Sequence, residues 1–303
     1  MTTFKNKFSW SVSRDDIFQK CKRMYYFQYY GSWGGWDQEA DDRTRMIYIL
    51  KHLQNRQMWA GMTVHDCIEN VIRTIKNGHK SINVNQIISK TLNKMRREFT
   101  SSKNKNYLTN PKTCALFEHE YNLEIPDTEW KSNADNVVEC LNKFFNSDVY
   151  KVILDLSENQ WIEIEKFSYF HLNNTKTYAA IDFVFKTDKE IIIYDWKTGH
   201  ENPEKDKLQL ACYGLFAIQK WDIDPENVKL VDFYLSSGKK NKFYLSNLDL
   251  DQTKNYILTS IDEMEKLLED PIENITKEEN FPLTENREIC NYCKYKKVCI
   301  TST

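Results

Sequence analysis

Asp195-Trp196-Lys197 closes the apolar run Ile191-Ile192-Ile193-Tyr194. Residues two apart on a strand share a face, so this strand end presents a carboxylate and an ammonium side by side. Upstream, residues 178–185 form a second strand-like segment that contains Asp182. The turn-like stretch 186–189 between the two predicts a hairpin, and folding back brings Asp182 towards Asp195. Two carboxylates and an ammonium in one place suit a divalent cation that activates water beside a phosphodiester. The plainer alternative is a salt bridge. An Asp flanked by Ile181 and Phe183 needs a partner, because burying an unpaired charge is expensive, and Lys197 would serve.

The cysteines give a second pattern. There are eight, at positions 21, 67, 114, 140, 212, 290, 293 and 299. Three form Cys290-x2-Cys293-x5-Cys299, and Cys21 sits in a helix-like stretch near the other end of the chain. Cys67, Cys114, Cys140 and Cys212 lie in apolar or helical contexts and read as small core residues. Four soft thiolates together suit either an iron–sulfur cluster or structural zinc. If Cys21 joins the other three, the chain ends meet, and a metal clip across so long a loop stabilises the fold.

Two further spacings flank the hairpin. Gly61-x3-His65 lies on an earlier helix-like stretch, and Gln209-x3-Tyr213 on a later one, after Lys197-Thr198-Gly199. Residues four apart share a helix face. The order His65, Asp182, Asp195, Lys197, Gln209, Tyr213 resembles the PD-(D/E)XK nuclease superfamily, specifically its RecB-like branch with an iron–sulfur cluster, of the Cas4 and AddB nuclease-domain type. The resemblance runs from Ser9 to Cys299. It implies that Asp182, Asp195 and the backbone carbonyl of Trp196 hold Mg²⁺ or Mn²⁺, with His65 as an additional ligand. Imidazole is tolerated better by Mn²⁺ than by Mg²⁺, so manganese preference or support is expected. The implied catalytic set is Asp182, Asp195, Lys197, Gln209 and Tyr213. In it Lys197 orients the attacking water or stabilises developing charge, while Gln209 and Tyr213 support Lys197 and contact the DNA backbone. The resemblance also implies a 4Fe-4S cluster on Cys21, Cys290, Cys293 and Cys299. Two positions depart from the pattern: Ile181 stands where the superfamily name has Pro, and Ala179 where the family often has Gly. Neither change removes a ligand.

The elements that must position these residues follow from periodicity and caps. Ser13, with Asp16 three residues on, predicts a first helix, which the Gly-rich stretch 31–36 ends. Residues 43–78 read as one helix ending at Asn77-Gly78, residues 84–99 as another, 101–106 as a loop, and 137–145 as helix. The period then changes to strand at 161–167, 178–185 and 190–196. Helix returns over 204–219, strands over 228–235 and 243–245, and helix over 248–268. The expected fold class is α/β. A PD-(D/E)XK restriction-endonuclease-like core spans 156–270. A helical part over 1–155 precedes it and contributes Cys21 and His65. A Cys-rich Fe-S segment over 271–303 closes onto the N-terminal helix.

Composition narrows the function classes. A chain of 303 residues buries a large core in one or two domains. Its net charge of −2 gives no global positive field and argues against a protein that coats DNA. A nuclease is less affected, since its carboxylates add negative charge. No apolar run approaches the roughly 20 residues of a membrane span, and residues 1–7 lack the apolar stretch of a signal peptide. A cytoplasmic location without disulfides is therefore expected. No G-x4-G-K-S/T phosphate loop is present, so a motor would be a separate subunit. The expected function is a metal-dependent DNA nuclease, an exonuclease on single-stranded or end-bearing DNA, in repair, CRISPR adaptation or phage-related processing. The expected partners are DNA and a separate helicase or CRISPR/defence subunit. A catalytically silent or partner-dependent DNA-binding subunit is the alternative, and a zinc-stapled protein of unrelated function is a third.

Overall fold

A computed structural model describes residues 5–299, apart from the side chains of residues 203–205. Residues 1–4 of the stretch read for a leader, and residues 300–303 of the tail, lie outside the described residues. The helical part comprises α1 (Val12–Lys20), α2 (Lys22–Tyr26), a π-helical turn Phe27–Gly31, α3 (Asp42–Lys51), α4 (Arg56–Lys76), α5 (Val84–Lys103), α6 (Phe117–Glu120), α7 (Asp127–Phe145) and α8 (Asp148–Asp155). Then come β1 (Trp161–Leu172), β2 (Thr175–Lys186), β3 (Ile191–Lys197), α9 (Pro203–Trp221), β4 (Val228–Tyr234), β5 (Lys239–Phe243), α10 (Asn247–Glu265) and α11 (Lys296–Cys299). The fold is mixed α/β, as expected. Among the described residues, no helix is long and apolar enough to cross a membrane.

Several boundaries differ from expectation for local reasons. Ser11, not Ser13, caps α1, its hydroxyl accepting from the Arg14 amide at 3.2 Å. The single helix expected over 43–78 is two. The chain leaves α3 to pair Gln54 with the Ala115–Phe117 backbone, and Asn55 starts α4 by accepting from the Met58 amide at 2.8 Å. α5 continues into the loop expected at 101–106, because buried Ser102 is held by the Leu116 amide at 2.8 Å. α8, capped by Ser147, was not anticipated. β5 falls on the lysine-rich 239–243 rather than 243–245. A turn at Gly238 (φ +80°) sends the chain straight back along β4, and lysines on a sheet edge oppose edge-to-edge pairing.

The sheet order is β1-β2-β3-β4-β5. β3 and β4 are parallel, with α9 as the crossover, and the other pairs are antiparallel. One face packs on α4, α5, α7 and α8 through residues such as Ile68, Phe144, Phe183 and Trp196. The other packs on α9, α10 and the N-terminal segment through Ile181, Ile193, Phe216 and Ile257.

The β2–β3 ladder is short. It pairs Phe183 with Tyr194 through to Lys186 with Ile191, and from Asp182 towards its start β2 leaves β3. Trp10 takes the vacated edge: its amide donates to the Lys176 carbonyl and its carbonyl accepts from the Tyr178 amide, both at 2.8 Å. At the same point β2 changes core. Phe183 and Phe185 pack with α4 and α7, whereas Ala179 and Ile181 pack with α9.

The chain ends meet without help from the cysteines. The Arg23 guanidinium donates to the Phe281 carbonyl at 2.8 Å and pairs with Glu278. Buried Tyr295 donates to Gln28 at 2.5 Å. Trp10 is fully buried, and its indole donates to Ser260, which in turn donates to buried Asp15. Replacing Trp10 with Ala removes this packing and the edge contact it supports. The expected loss is about 3–5 kcal/mol, read as a lower urea midpoint. A shift below about 1 kcal/mol would show that the segment is dispensable to the fold.

Candidate active site

Where β2 and β3 part, the Trp196 amide loses its strand partner. The Asp182 carboxylate replaces it, accepting that amide through Oδ2 at 2.6 Å. Asp182 is thereby fixed at the mouth of the split. Asp195 and Lys197 follow on β3 as the alternation requires, with Lys197 Nζ 2.6 Å from Asp195 Oδ2. α9 supplies the next layer. Gln209 Oε1 accepts from Lys197 Nζ at 2.6 Å, and Gln209 Nε2 donates to Asp195 Oδ1 at 3.1 Å. The Tyr213 hydroxyl lies 2.5 Å from the Ala180 carbonyl, freed by the split, and 3.0 Å from Asp195 Oδ1. Asp182, Asp195, Lys197, Gln209 and Tyr213 therefore form one contiguous group.

His65 reaches the group from α4. Gly61, one turn earlier, lets the helix pass close to the end of β3, since a Cβ there would stand 2.8 Å from Thr198 Oγ1. His65 Nδ1 lies 3.3 Å from Asp182 Oδ1 and 3.5 Å from Glu165 Oε1. Ligand atoms of His65, Glu165 and Asp182 all fall within 4.8 Å of one another. Asp195 stands outside this trio, with its oxygens engaged by Lys197, Gln209 and Tyr213.

Sequence reasoning missed Glu165. The pairings Ile164 with Phe183 and Lys166 with Ile181 put it directly across from Asp182, but alternation alone could not supply that register. Glu165 has a positive φ of 40°, uncommon outside Gly, Asn and Asp. It also missed Asp206 and Asp232, which lie 3.4 Å and 3.8 Å from Lys197 Nζ. Asp206 is held by the Tyr234 hydroxyl at 2.5 Å. Asp232, the register partner of Asp195 on β4, is fully buried, and neither of its oxygens accepts a hydrogen bond.

The charges perturb one another. Burial pushes the Asp182 carboxyl up to about 7 against the pull of His65, and Asp195 adds to the rise. Burial opposes the His65 imidazolium, but Asp182 and then Glu165 outweigh it and hold its pKa well above 6.5. Burial likewise opposes charge on Lys197, yet Asp195, Asp232 and Asp206 together raise its pKa. The ammonium is thus held charged and fixed.

Cys21 and the three cysteines of the C-terminal pattern are free thiols, partly exposed. Burial pushes the Cys293 thiol up to about 11, and Cys21, Cys299 and Cys290 are near enough to raise it further. Of the remaining four, Cys67, Cys140 and Cys212 are buried and Cys114 packs against the core, in keeping with their reading as small packing residues.

A model of the PD-(D/E)XK nuclease superfamily matches residues 9–300. This chain belongs to that superfamily. Its members are mostly metal-dependent nucleases, and the mixed five-stranded sheet with helices on both faces is compatible with a PD-(D/E)XK core. No curated protein matches. Among solved structures, "Crystal structure of SSO0001" is similar at 15% identity over 60% of this chain and 78% of that one, with a TM-score of 0.29.

In this PD-(D/E)XK site Asp232 is the group whose burial is least compensated. Burial raises its pKa from 3.8 to about 7, with Lys197 opposing and Asp195 and Asp206 adding. The folded state therefore holds the Asp232 proton more tightly than the unfolded state does. Its contribution to stability falls as pH rises from about 4 to about 7, and the full cost is present above that. Asp232→Asn is expected to be more stable than the natural chain at pH 8, by up to about 4 kcal/mol, with the gain gone near pH 4. Urea melts of both proteins across this range check it. A variant less stable at pH 8 would mean that attraction to Lys197 dominates.

Proposed function

We propose that this chain is a metal-dependent deoxyribonuclease of the RecB-like, Cas4 and AddB type, an exonuclease acting on single-stranded or end-bearing DNA. The observation that carries the reading is the β2–β3 split, where His65, Glu165 and Asp182 converge beside a charged Lys197 held on Asp195. The donors, carboxylate oxygens with one imidazole nitrogen, fit Mn²⁺ better than Mg²⁺. Asp182, His65 and Glu165 would hold the cation, with Asp195 and the Trp196 carbonyl completing the set. Once bound, it supplies Lewis-acid polarisation of the phosphate and a lowered pKa for water.

The protein's own groups do the rest. Lys197 presents a fixed ammonium to the attacking water or to the charge developing on the phosphate. Gln209 holds Lys197 and Asp195 at their mutual spacing, and Tyr213 ties α9 to β2 so that Asp182 and Asp195 keep their separation. Repair, CRISPR adaptation or phage-related DNA processing beside a separate motor subunit is the setting this activity suits.

We also assign Cys21, Cys290, Cys293 and Cys299 to a 4Fe-4S cluster. The support is the donor set: four free thiols from both chain ends, close enough to perturb one another.

Anaerobically purified protein with Mn²⁺ is expected to shorten end-labelled DNA, with activity lost in EDTA and in Asp195→Ala. A folded natural chain that leaves all substrates intact would remove the nuclease reading in favour of a binding subunit. The same preparation is expected to be brown and to carry about four irons per chain. Stoichiometric zinc in a colourless, folded protein would refute the cluster.

A further inference from the structure

The outer half of the β1–β2 hairpin has no part in the catalytic group. Its inner face is closed, with Ser168, Phe170, Thr177, Ala179 and Ile181 buried. The opposite face is open, and it lies on the side of the sheet from which His65 of α4 reaches Glu165 and Asp182. Phe167, two residues beyond Glu165, is 68% exposed, and Tyr169 is 46% exposed. Phe167 stacks on Tyr178 with ring centroids 4.5 Å apart and planes 17° apart. Tyr178 meets Tyr169 edge-on at 5.9 Å, and Lys176 Nζ lies 4.4 Å from the Tyr169 ring centre. A second exposed apolar strip approaches from α4. Met58 and Met62 precede His65 by seven and three residues and so share its stripe. Both strips end at the His65–Glu165–Asp182 corner.

We propose that this open hairpin face is a base-stacking platform for single-stranded nucleic acid. Phe167 and Tyr178 form its first step, Tyr169 its second, and Lys176 meets a phosphate. The proposal rests on the nuclease reading for the position of the reacting phosphate. A phosphodiester seated at Asp182 places its neighbouring nucleotide against Phe167, because the two lie along one ladder. The stacked Phe167–Tyr178 pair and the Tyr169 ring set edge-on beside it leave aromatic surface open to solvent. Such surface suits unpaired bases, whose faces are free, and not a paired helix, whose bases already stack on one another. Aromatic faces with a nearby cation are the chemistry that holds single strands without sequence preference. The exposed methionines on the His65 stripe of α4 are flexible side chains that adapt to any base.

The test measures binding, not cleavage. Full-length Asp195→Ala protein with Mn²⁺ is titrated against fluorescent single-stranded and duplex DNA of one length, with and without Phe167→Ala or Tyr178→Ala. Each ring removed is expected to weaken single-strand binding roughly 5- to 150-fold and to leave duplex binding nearly unchanged. Phe167→Trp is expected to restore affinity, which a merely misfolded hairpin would not allow. Single-strand affinity unchanged by both alanine variants, or no measurable single-strand binding, overturns the platform. In the first case the rings belong to a protein contact or to hairpin stability alone. Because no step depends on turnover, ring-dependent binding together with a natural chain that never cuts retires the nuclease and keeps the platform. One that cuts normally with both rings gone does the reverse.

Discussion

The site depends on one exchange of hydrogen bonds. An antiparallel ladder continued past Phe183 would give the Trp196 amide a backbone acceptor on β2. The Asp182 carboxylate accepts it instead, at 2.6 Å. A buried amide without an acceptor and a buried carboxylate without a donor are each costly, and here each answers the other. The strands can therefore separate without orphaning this amide. Other groups released by the separation are also taken up. Tyr213 meets the Ala180 carbonyl, and Trp10 meets the Lys176 carbonyl and the Tyr178 amide. Tyr213 and the N-terminal clamp are thus two answers to one structural demand, and the opening they leave is lined with carboxylates.

That lining is electrostatically unfavourable by itself. Like charges directly opposite on neighbouring strands destabilise a sheet, and Glu165 faces Asp182 in that way. Asp195, Asp206 and Asp232 crowd a single ammonium. A protein selected for stability alone would neutralise some of these groups. Strain at Glu165, whose φ is positive, adds to the cost. A cation at the His65–Glu165–Asp182 corner would relieve the repulsion on one side of Asp182. On the other side, Lys197 relieves it for Asp195. Lys197 and a bound cation would thus answer the site's negative charge from opposite sides, with Asp195 between them.

Much of this was legible in the sequence, because it rests on period and local chemistry. Alternation placed Asp195 and Lys197 on one face, the turn at 186–189 placed Asp182 nearby, and the four-residue spacing put Gln209 and Tyr213 on one side of α9. Glu165, Asp206 and Asp232 were not legible for a different reason. Each becomes part of the site through register: Glu165 across the β1–β2 ladder, Asp232 across the β3–β4 ladder, and Asp206 through the docking of α9. Register is set by the whole packed sheet, and a single strand's pattern does not contain it. The division of 43–78 into α3 and α4 was hidden similarly, since it follows from Gln54 pairing with a segment some sixty residues away.

The ends of the chain bear on how a metal centre at the cysteines would act. A clip between Cys21 and the C-terminal three looks, from sequence, like a staple across nearly the whole protein, worth the entropy of closing that loop. In the folded protein the loop is already closed. Arg23 binds Glu278 and the Phe281 carbonyl, Tyr295 binds Gln28, and Trp10 and Asp15 are joined to α10 through Ser260. With those contacts made, thiolate ligation closes only short segments: residues 282–294, made of turns and the 3-10 stretch Arg287–Tyr292, and α11, which follows buried Tyr295. Neither has enough regular structure to hold itself. The larger consequence of ligation there is local: ordering the tail against α2 and α3. The nuclease core has its own supports in Trp10 and the two-sided packing of the sheet, so leaving these thiols unligated should loosen the tail well before it disturbs Asp182 and Asp195.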